Sequence, residues 1–547
     1  MGEVNRYFAR VKWIVFFQSV LCAMAAMSLA IVPYFQRMII DDIGCAGGSL
    51  GKIMKCIVSF IFFEILTVIL IYFMQVVDIN GRTRIRLHLH EDFMKGIFYL
   101  PYEKFKKKSI GEYISINSNN IDTIVNEYYE PIVKLVGDII KVVVFGVVVF
   151  LTIPYQIGLC IVFFSVLIVF VPNIFKNKKA ALQKISMKGT GIYTDRLRDF
   201  LEGKKVVNKK TYNSIVNEHS RAVDKMIRQK KRSGIFGMFA LSVESVSVKG
   251  IDLFTFILLG TLFLNGKLTS GMVVATFLYS SYFVDPIQDS MMQVHFINTN
   301  RTVMEELVHF IESYKEECVE QQEVLEDFQE AICLENVSLQ YDNFQMKDFC
   351  YLFEKGKRYA IIGHSGSGKS TLVNLLMRYE GDYTGKITID GKNIRNVNID
   401  KIVGSVNQME YVFKDNFINN VTVYNSYQEK NLESIIPLFR GCSAIVNALT
   451  KTLNCGALSG GEKQFVSFMR ALVANGEILI MDEPFSAIDK GNLNKVMKMF
   501  PLLKEKTIIM VTHDVNENLK YFDDIIIMDD GRIKASGSYD TIKTMLG

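Results

Sequence analysis

The chain has 547 residues, too many for one hydrophobic core, and 49 % of them are apolar, more than a soluble protein carries, so a membrane part joined to a soluble part is expected. The formal net charge is only +5, and the basic residues cluster where a membrane topology signal puts them, which argues against nucleic acid as a partner. Nine scattered cysteines form no Cys-x-x-Cys and no Cys/His cluster at zinc spacing, which excludes a structural zinc site and predicts reduced thiols.

Six apolar runs read as membrane spans: 13–34, 53–77, 132–151, 156–175, 246–264 and 272–292. The first, interrupted by Gln18, is too long for a cleavable signal and long enough, at ~1.5 Å per residue, to cross a ~30 Å hydrocarbon core. Between spans two and three stand Arg82, Arg84, Arg86, Lys95, Lys104, Lys106, Lys107 and Lys108; between spans four and five stand Lys176, Lys178, Lys179, Lys204, Lys205, Lys209, Lys210, Lys230, Lys231 and Arg232. The connections 41–51, 152–155 and 265–270 are nearly free of base. The long basic segments and both termini are therefore expected in the cytoplasm, in a multi-pass protein of the cell membrane. Gly111 and Gly203 interrupt helical patterns in these segments and are candidate elbows.

A few charges fall in or beside the spans. Lys249 and Asp252 lie three apart on one helix face, where they are expected to neutralise each other, with Glu244 just before them. Glu64 stands near the middle of span two and is expected to face a polar cavity. Residues 293–330 read as a helix leaving the membrane into an acidic linker. The expected domains are 1–300, a linker 301–328, and 329–547.

The second half opens on an alternating strand, Ile332 to Tyr341, whose terminal Tyr341 is a candidate to stack on an adenine ring. The apolar run Tyr359-Ala360-Ile361-Ile362 then leads into Gly363-His364-Ser365-Gly366-Ser367-Gly368-Lys369-Ser370-Thr371, and Leu372-Val373-Asn374-Leu375-Leu376-Met377 follows. Strand, glycine loop and helix are the setting of a phosphate-binding P-loop. Its glycines let backbone N–H groups turn inward around phosphates, and the helix start adds its positive dipole end. Lys369 is expected to reach the β- and γ-phosphates, and the Ser370 hydroxyl to ligate Mg²⁺. A second buried strand, Ile478-Leu479-Ile480-Met481, ends in Asp482-Glu483, which assigns Asp482 to the Mg²⁺ hydration shell and Glu483 to the attacking water. A third, from Thr507, carries His513 at its tip, a donor for the γ-phosphate.

Between the P-loop and the acidic strand lies Ala457-Leu458-Ser459-Gly460-Gly461-Glu462-Lys463-Gln464. This octet resembles the signature motif of ATP-binding cassette (ABC) transporters. The resemblance implies that Ser459, Gly460 and Gly461 cradle the nucleotide held by the P-loop of a second cassette, so that two cassettes sandwich two ATP molecules. Gln408 then looks like the Q-loop glutamine, a Mg²⁺ and water ligand, and Ser486-Ala487-Ile488-Asp489 like the D-loop. Tyr341 matches the adenine-stacking aromatic and His513 the switch histidine. The membrane half is similar to the exporter-type six-helix domain, with Gly266-Lys267-Leu268-Thr269-Ser270-Gly271 before span six and Pro286 within it. That similarity places coupling helices near 109–124 and 201–212. Two departures stand out: Thr452-Leu453-Asn454-Cys455-Gly456 lacks the glutamate-bearing loop common before the signature, and Phe465-Val466-Ser467-Phe468 replaces a basic, small-residue helix.

The expected fold is a membrane all-α six-helix domain of the exporter type, followed by an α/β P-loop NTPase cassette with a helical subdomain. The expected function is ATP- and Mg²⁺-dependent export of a lipid, hydrophobic drug or peptide by a half-transporter paired with a second copy or a related chain in the lipid bilayer. The alternative is an ATP-gated membrane sensor that moves nothing.

Overall fold

The structure, a computed structural model, describes residues 2–44, 49–319, 323–341, 344–408, 411–513 and 517–546. It divides into two compact units, one of Met1–Gly96 with Ile110–Ser313, the other of Ile97–Ser109 with Tyr314–Gly547.

The first unit is built of long helices. Gly2–Gly44 and Leu50–Tyr99 are followed by the rod Ile110–Thr152, which contains two π-helical turns, Ile116–Asn120 and Val125–Tyr129. Tyr155–Val169 and Val171–Glu202 come next, broken at Phe170 where Pro172 opens the second piece. Tyr212–Leu264 and Ser270–Val319 complete the unit. Its outer surface is apolar: Trp13, Phe16, Phe17, Phe62, Ile65, Val68 and Tyr72 are all more than half or nearly half exposed, which suits hydrocarbon rather than water. Inside, small residues and hydroxyls join the helices, as membrane packing requires. Ala25, Ala26 and Ala30 are buried, Thr67 Oγ1 donates to Ser28 Oγ at 2.9 Å, and the Tyr279 hydroxyl donates to the Ala30 carbonyl at 2.9 Å. Gly266, at φ +69°, makes the left-handed turn into the last rod. Asp41 receives Gly271 N at 2.8 Å and Thr269 Oγ1 at 2.9 Å, tying the first helix to the start of the last.

Five helices among the described residues are long and apolar enough to cross a membrane: Arg6–Gly44, Leu50–Tyr99, Ile110–Thr152, Tyr212–Leu264 and Glu429–Leu449. The last is no span. It is three pieces, Glu429–Ile435, a 3₁₀ stretch Ile436–Cys442 carrying Pro437 and a non-helical Phe439, and Ser443–Leu449, and its apolar side faces the second unit's own core. Of the other two expected spans, the fourth is a shorter apolar helix, Tyr155–Ser165, and the sixth carries Asp285 and Asp289.

The second unit has a six-stranded sheet in the order Arg532–Gly537, Asp524–Asp529, Arg358–Gly363, Thr507–Val511, Ile478–Asp482, Val403–Val406. All neighbours are parallel except the first pair. Ile478–Asp482 and Thr507–Val511 are buried at every position, which is why they read as unbroken apolar runs. Ala331–Tyr341, Phe344–Glu354 and Thr384–Ile389 form an antiparallel sheet beside it. Short helices between 417 and 449 make a helical subdomain with Gly460–Val473.

The basic, small-residue pattern missing from the signature helix has a structural counterpart. Phe465 and Phe468 are buried and pack on Phe439 and Phe485, with ring centroids 5.4 Å and 5.1 Å apart. The stretch before the signature is pinned instead of acidic: Cys455 N donates to Asp415 O at 2.8 Å, and Asn454 Oδ1 receives Gly456 N at 2.9 Å.

Candidate functional site

The parallel register sets three strand ends side by side. Ile361 pairs with Val511, and Val511 with Asp482, so the P-loop, His513 and the Asp482-Glu483 pair leave the sheet at its carboxyl edge, where open α/β sheets bind ligands. The helix Lys369–Leu376 starts directly from the loop, with Gly368 as its cap at φ +100°. A side chain at Gly368 would meet Phe344 Cζ at 2.6 Å, so both the turn and the close ring require glycine there.

Within the loop, His364, Ser365 and Gly366 are exposed, Gly363 and Thr371 are half-buried, and Ser367 is buried. Lys369 is 5 % exposed, and its Nζ donates to the carbonyls of Gly363 at 2.9 Å and His364 at 2.8 Å, which holds the ammonium across the loop mouth. Burial lowers its pKa, while Glu483 and Asp482 act in the opposite sense. Asp482 is buried, and desolvation raises its pKa against the opposing hydrogen bond from the Ser370 hydroxyl.

Glu483 is the centre of the constellation. Gln408 Nε2 donates to its Oε2 at 2.9 Å, and His513 Nε2 lies against its Oε1. Its backbone is left-handed, at φ +48°, an uncommon state for a residue with a side chain. Val511 O receives its N–H at 3.1 Å. So both carboxylate oxygens are oriented by residues drawn from two other parts of the chain. The Tyr341 side chain, expected on the adenine, lies outside the described residues; its backbone pairs with Phe344 across the hairpin, and Phe344 is the ring that touches the P-loop.

The signature residues do not join this group. Ser459 caps Gly460–Val473 in a reciprocal box: Glu462 N donates to Ser459 Oγ at 3.4 Å, and Ser459 N donates to Glu462 Oε2 at 2.9 Å. The Ser459 hydroxyl and backbone hold the Glu462 carboxyl below its usual pKa. Gly461 lies under the D-loop, where a Cβ would come within 2.7 Å of Ala487 O. Gln464 then clamps that loop twice, its Nε2 donating to Ser486 Oγ at 3.0 Å and its Oε1 receiving Ala487 N at 2.9 Å. Gln464 was part of the signature octet in sequence, but its role as the tie to the D-loop depends on a contact across 23 residues that spacing does not reveal.

Most of the stretch expected as the first coupling helix, 109–124, is not grouped with the cassette. Residues 110–124 are helix within the membrane unit, and Gly111 makes no elbow. The segment grouped with the cassette is Ile97–Ser109, with a single turn, Tyr102–Phe105. There the Tyr102 ring lies 4.6 Å from that of Tyr379, Lys106 pairs with Glu380, and Gly381 lies against the Glu103 carboxylate. The elbow expected at Gly203 is present as a 3₁₀ turn, Gly203–Val206.

Comparison with known proteins fits this geometry. The family "ABC transporter transmembrane region" matches residues 13–287, and "ABC transporter" matches residues 346–486. The chain belongs to the ABC transporter family. An ATP-dependent lipid A-core flippase of Haemophilus ducreyi is 23 % identical over 84 % of this chain and 81 % of its own length. A multidrug resistance-like ATP-binding protein, MdlB, of Buchnera aphidicola is 24 % identical over 89 % and 86 %. In fold, the chain is similar to a bacterial Atm1-family ABC exporter solved with ATP bound, at a TM-score of 0.82 and 20 % identity, over 98 % of this chain and 97 % of that one. This ABC transporter is thus a multi-pass half-transporter of the exporter type that binds nucleotide and couples ATP hydrolysis to transport.

Proposed function

We propose that this transporter exports an amphiphilic substrate out of the cytoplasm as a dimer, with each ATP held by the P-loop of one chain and the signature serine and glycines of the other. What supports the pairing is the division of the motifs within one chain. Lys369, Gln408, Asp482, Glu483 and His513 gather at one sheet edge, while Ser459 caps its own helix and Gly460 and Gly461 lie against the D-loop.

In this reading the backbone of Gly363 to Gly368, with Ser365 and Ser367, wraps the phosphates, and Lys369 turns from the loop carbonyls to the β- and γ-phosphates. Thr371 closes the loop from the helix, and Tyr341 backs the adenine. Glu483 accepts a proton from the attacking water, held in aim by Gln408 and His513. His513 contacts the γ-phosphate as charge moves to the leaving oxygen. The donor set fits Mg²⁺: Asp482 Oδ1 is buried with no hydrogen-bond partner, and the Ser370 hydroxyl lies on the same carboxylate. Ser370, Gln408 and Asp482 would hold it, with phosphate oxygens and water completing the shell, since no group of three or more His, Cys, Asp or Glu among the described residues forms a metal site by itself. Bound there, Mg²⁺ would neutralise phosphate charge.

Both termini and the cassette are assigned to the cytoplasm from the basic segments. The relatives' names, lipid A-core flippase and multidrug resistance-like protein, fit a lipid or drug cargo. The test is the purified chain in lipid nanodiscs: a particle with the mass of two chains, whose ATPase collapses in Glu483→Gln, is expected. A single chain that hydrolyses ATP overturns the dimer, and a dimer equally active in Glu483→Gln overturns the assignment of the base.

A further inference from the structure

A cavity of about 260 Å³ lies between the two helices of the hairpin Val171–Glu202 and Tyr212–Leu264, a size for a molecule smaller than a drug. The helices run antiparallel. Gly189 meets Gln229 at one level, and Tyr193 and Phe200 meet His219 at another. At that register Arg196 comes level with Ala222, so Arg196, Arg221 and Lys225 stand in the wall within about one helical turn of each other. Arg221 pairs with Glu218; Arg196 and Lys225 have no ion pair among the described residues. Asp195, Asp199 and Asp224 on the same helices are exposed and outside the wall.

Three cations at one level of a packing seam repel each other, and Arg221 and Lys225 do so already at a spacing of four on one helix. The membrane does not explain them. Topology is set within about 15–20 residues of a span. Arg196 and Lys225 lie just past that limit from the expected spans that end at 175 and begin at 246. About 30 Å of helix separates Arg196 from position 175, too far for a lipid headgroup. One turn beyond Lys225 the wall holds an acceptor in want of a donor. Gln229 Oε1 is buried with no hydrogen-bond partner, and glycine at 189 leaves room for it, since a Cβ there would collide with it. Ile192, Tyr193 and Met226 line the wall alongside.

The geometry points to a soluble phosphate monoester of sugar size as the ligand of this cavity. Its phosphate sits among Arg196, Arg221 and Lys225, a hydroxyl donates to Gln229 Oε1, and its ring rests on Tyr193. Guanidinium forks suit phosphate oxygens. A phosphate near two negative charges answers both unpaired cations, where a carboxylate answers one. Lys225 and Gln229 are about 6 Å apart along the axis, the reach of a hexose ring carrying a phosphate. The site is independent of the exported cargo and of the ATP chemistry.

The test uses the full-length transporter in phosphatidylcholine nanodiscs, with its cassettes filled by ADP. Calorimetry compares glucose 6-phosphate, glucose and inorganic phosphate. Glucose 6-phosphate is expected to bind once per chain, and glucose at least about tenfold more weakly, the scale of one charge-assisted bond. Arg196→Ala with Lys225→Ala should weaken glucose 6-phosphate by about 100-fold, for two such bonds. Gln229→Leu should weaken it by about tenfold and leave inorganic phosphate unchanged. Hydrogen exchange across 189–229 should slow with ligand in the wild type and not in the double variant. Unchanged basal ATPase and elution volume show that the variants fold. A wild type that does not bind glucose 6-phosphate, or binds glucose as well, overturns the proposal, as does binding indifferent to the variants. Phosphatidylglycerol in the nanodisc should leave binding unchanged; competition would assign the cations to a headgroup and overturn it. A double variant that loses the dimer without ligand, while still binding ATP, assigns the cations to carboxylates of the partner subunit and overturns it too.

Discussion

In the cassette, side chains far apart in sequence converge. Gln408 and His513 close on the two oxygens of Glu483 from either side of a 105-residue stretch. In the membrane unit the charges that stand out in sequence do not converge. Lys249 and Asp252 pair with each other at 2.9 Å on one helix, and Glu64 lies beside Tyr282 with no hydrogen bond among the described residues. Phosphate chemistry demands particular groups at particular spacings, so it leaves motifs. A span demands only apolarity, so its polar residues are set by neighbours brought in by packing.

Substitutions in the two units test this difference. The largest effect belongs to Glu483→Gln, which should lower ATPase by roughly 10²–10⁴-fold, the range for removing a general base, while fluorescent ATP still binds. Lys369→Ala comes next: nucleotide affinity should fall by about 10–100-fold, as expected for losing charge-assisted bonds to phosphate. Gln464→Ala loosens the D-loop without touching the P-loop. Its ATPase should drop by about tenfold, for two hydrogen bonds lost, with ATP affinity unchanged; affinity falling in step would place Gln464 in the nucleotide site itself.

The smaller effects fall outside the ATP site. Tyr102→Ala with Lys106→Ala should abolish stimulation of ATPase by cargo and leave the basal rate within about twofold, since apart from Phe105 their ring and ion-pair partners among the described residues are Tyr379 and Glu380. In the membrane unit, Glu64→Gln should lower cargo-stimulated ATPase by about twofold if it faces a polar path. Unchanged transport and unchanged stimulation would remove Glu64 from that path.

How much of this was legible follows the same division. The P-loop, the acidic strand and the His513 strand were readable because each is an apolar run ending in chemistry, and buried parallel strands write themselves that way. The Lys249–Asp252 pair was readable from helical spacing. The Gln464 clamp, the Phe344 ring on Gly368 and the dock at Tyr102 were not, because each joins elements distant in sequence. The break at Phe170 was hidden because the apolar run continues through it. Glu429–Leu449 is apolar enough for a span, and its broken geometry and its place in the cassette core show that it is none.

On this reading one chain cannot complete an ATP site. This is tested most directly by mixing two inactive variants, Lys369→Ala and Ser459→Arg, before reconstitution. Each alone has every site spoiled, by its P-loop or by its signature. A mixed dimer has one sound P-loop facing one sound signature. The mixture is expected to recover ATPase that neither variant shows alone. A mixture as silent as its components, or a Ser459→Arg variant that hydrolyses ATP at the wild-type rate, would contradict it.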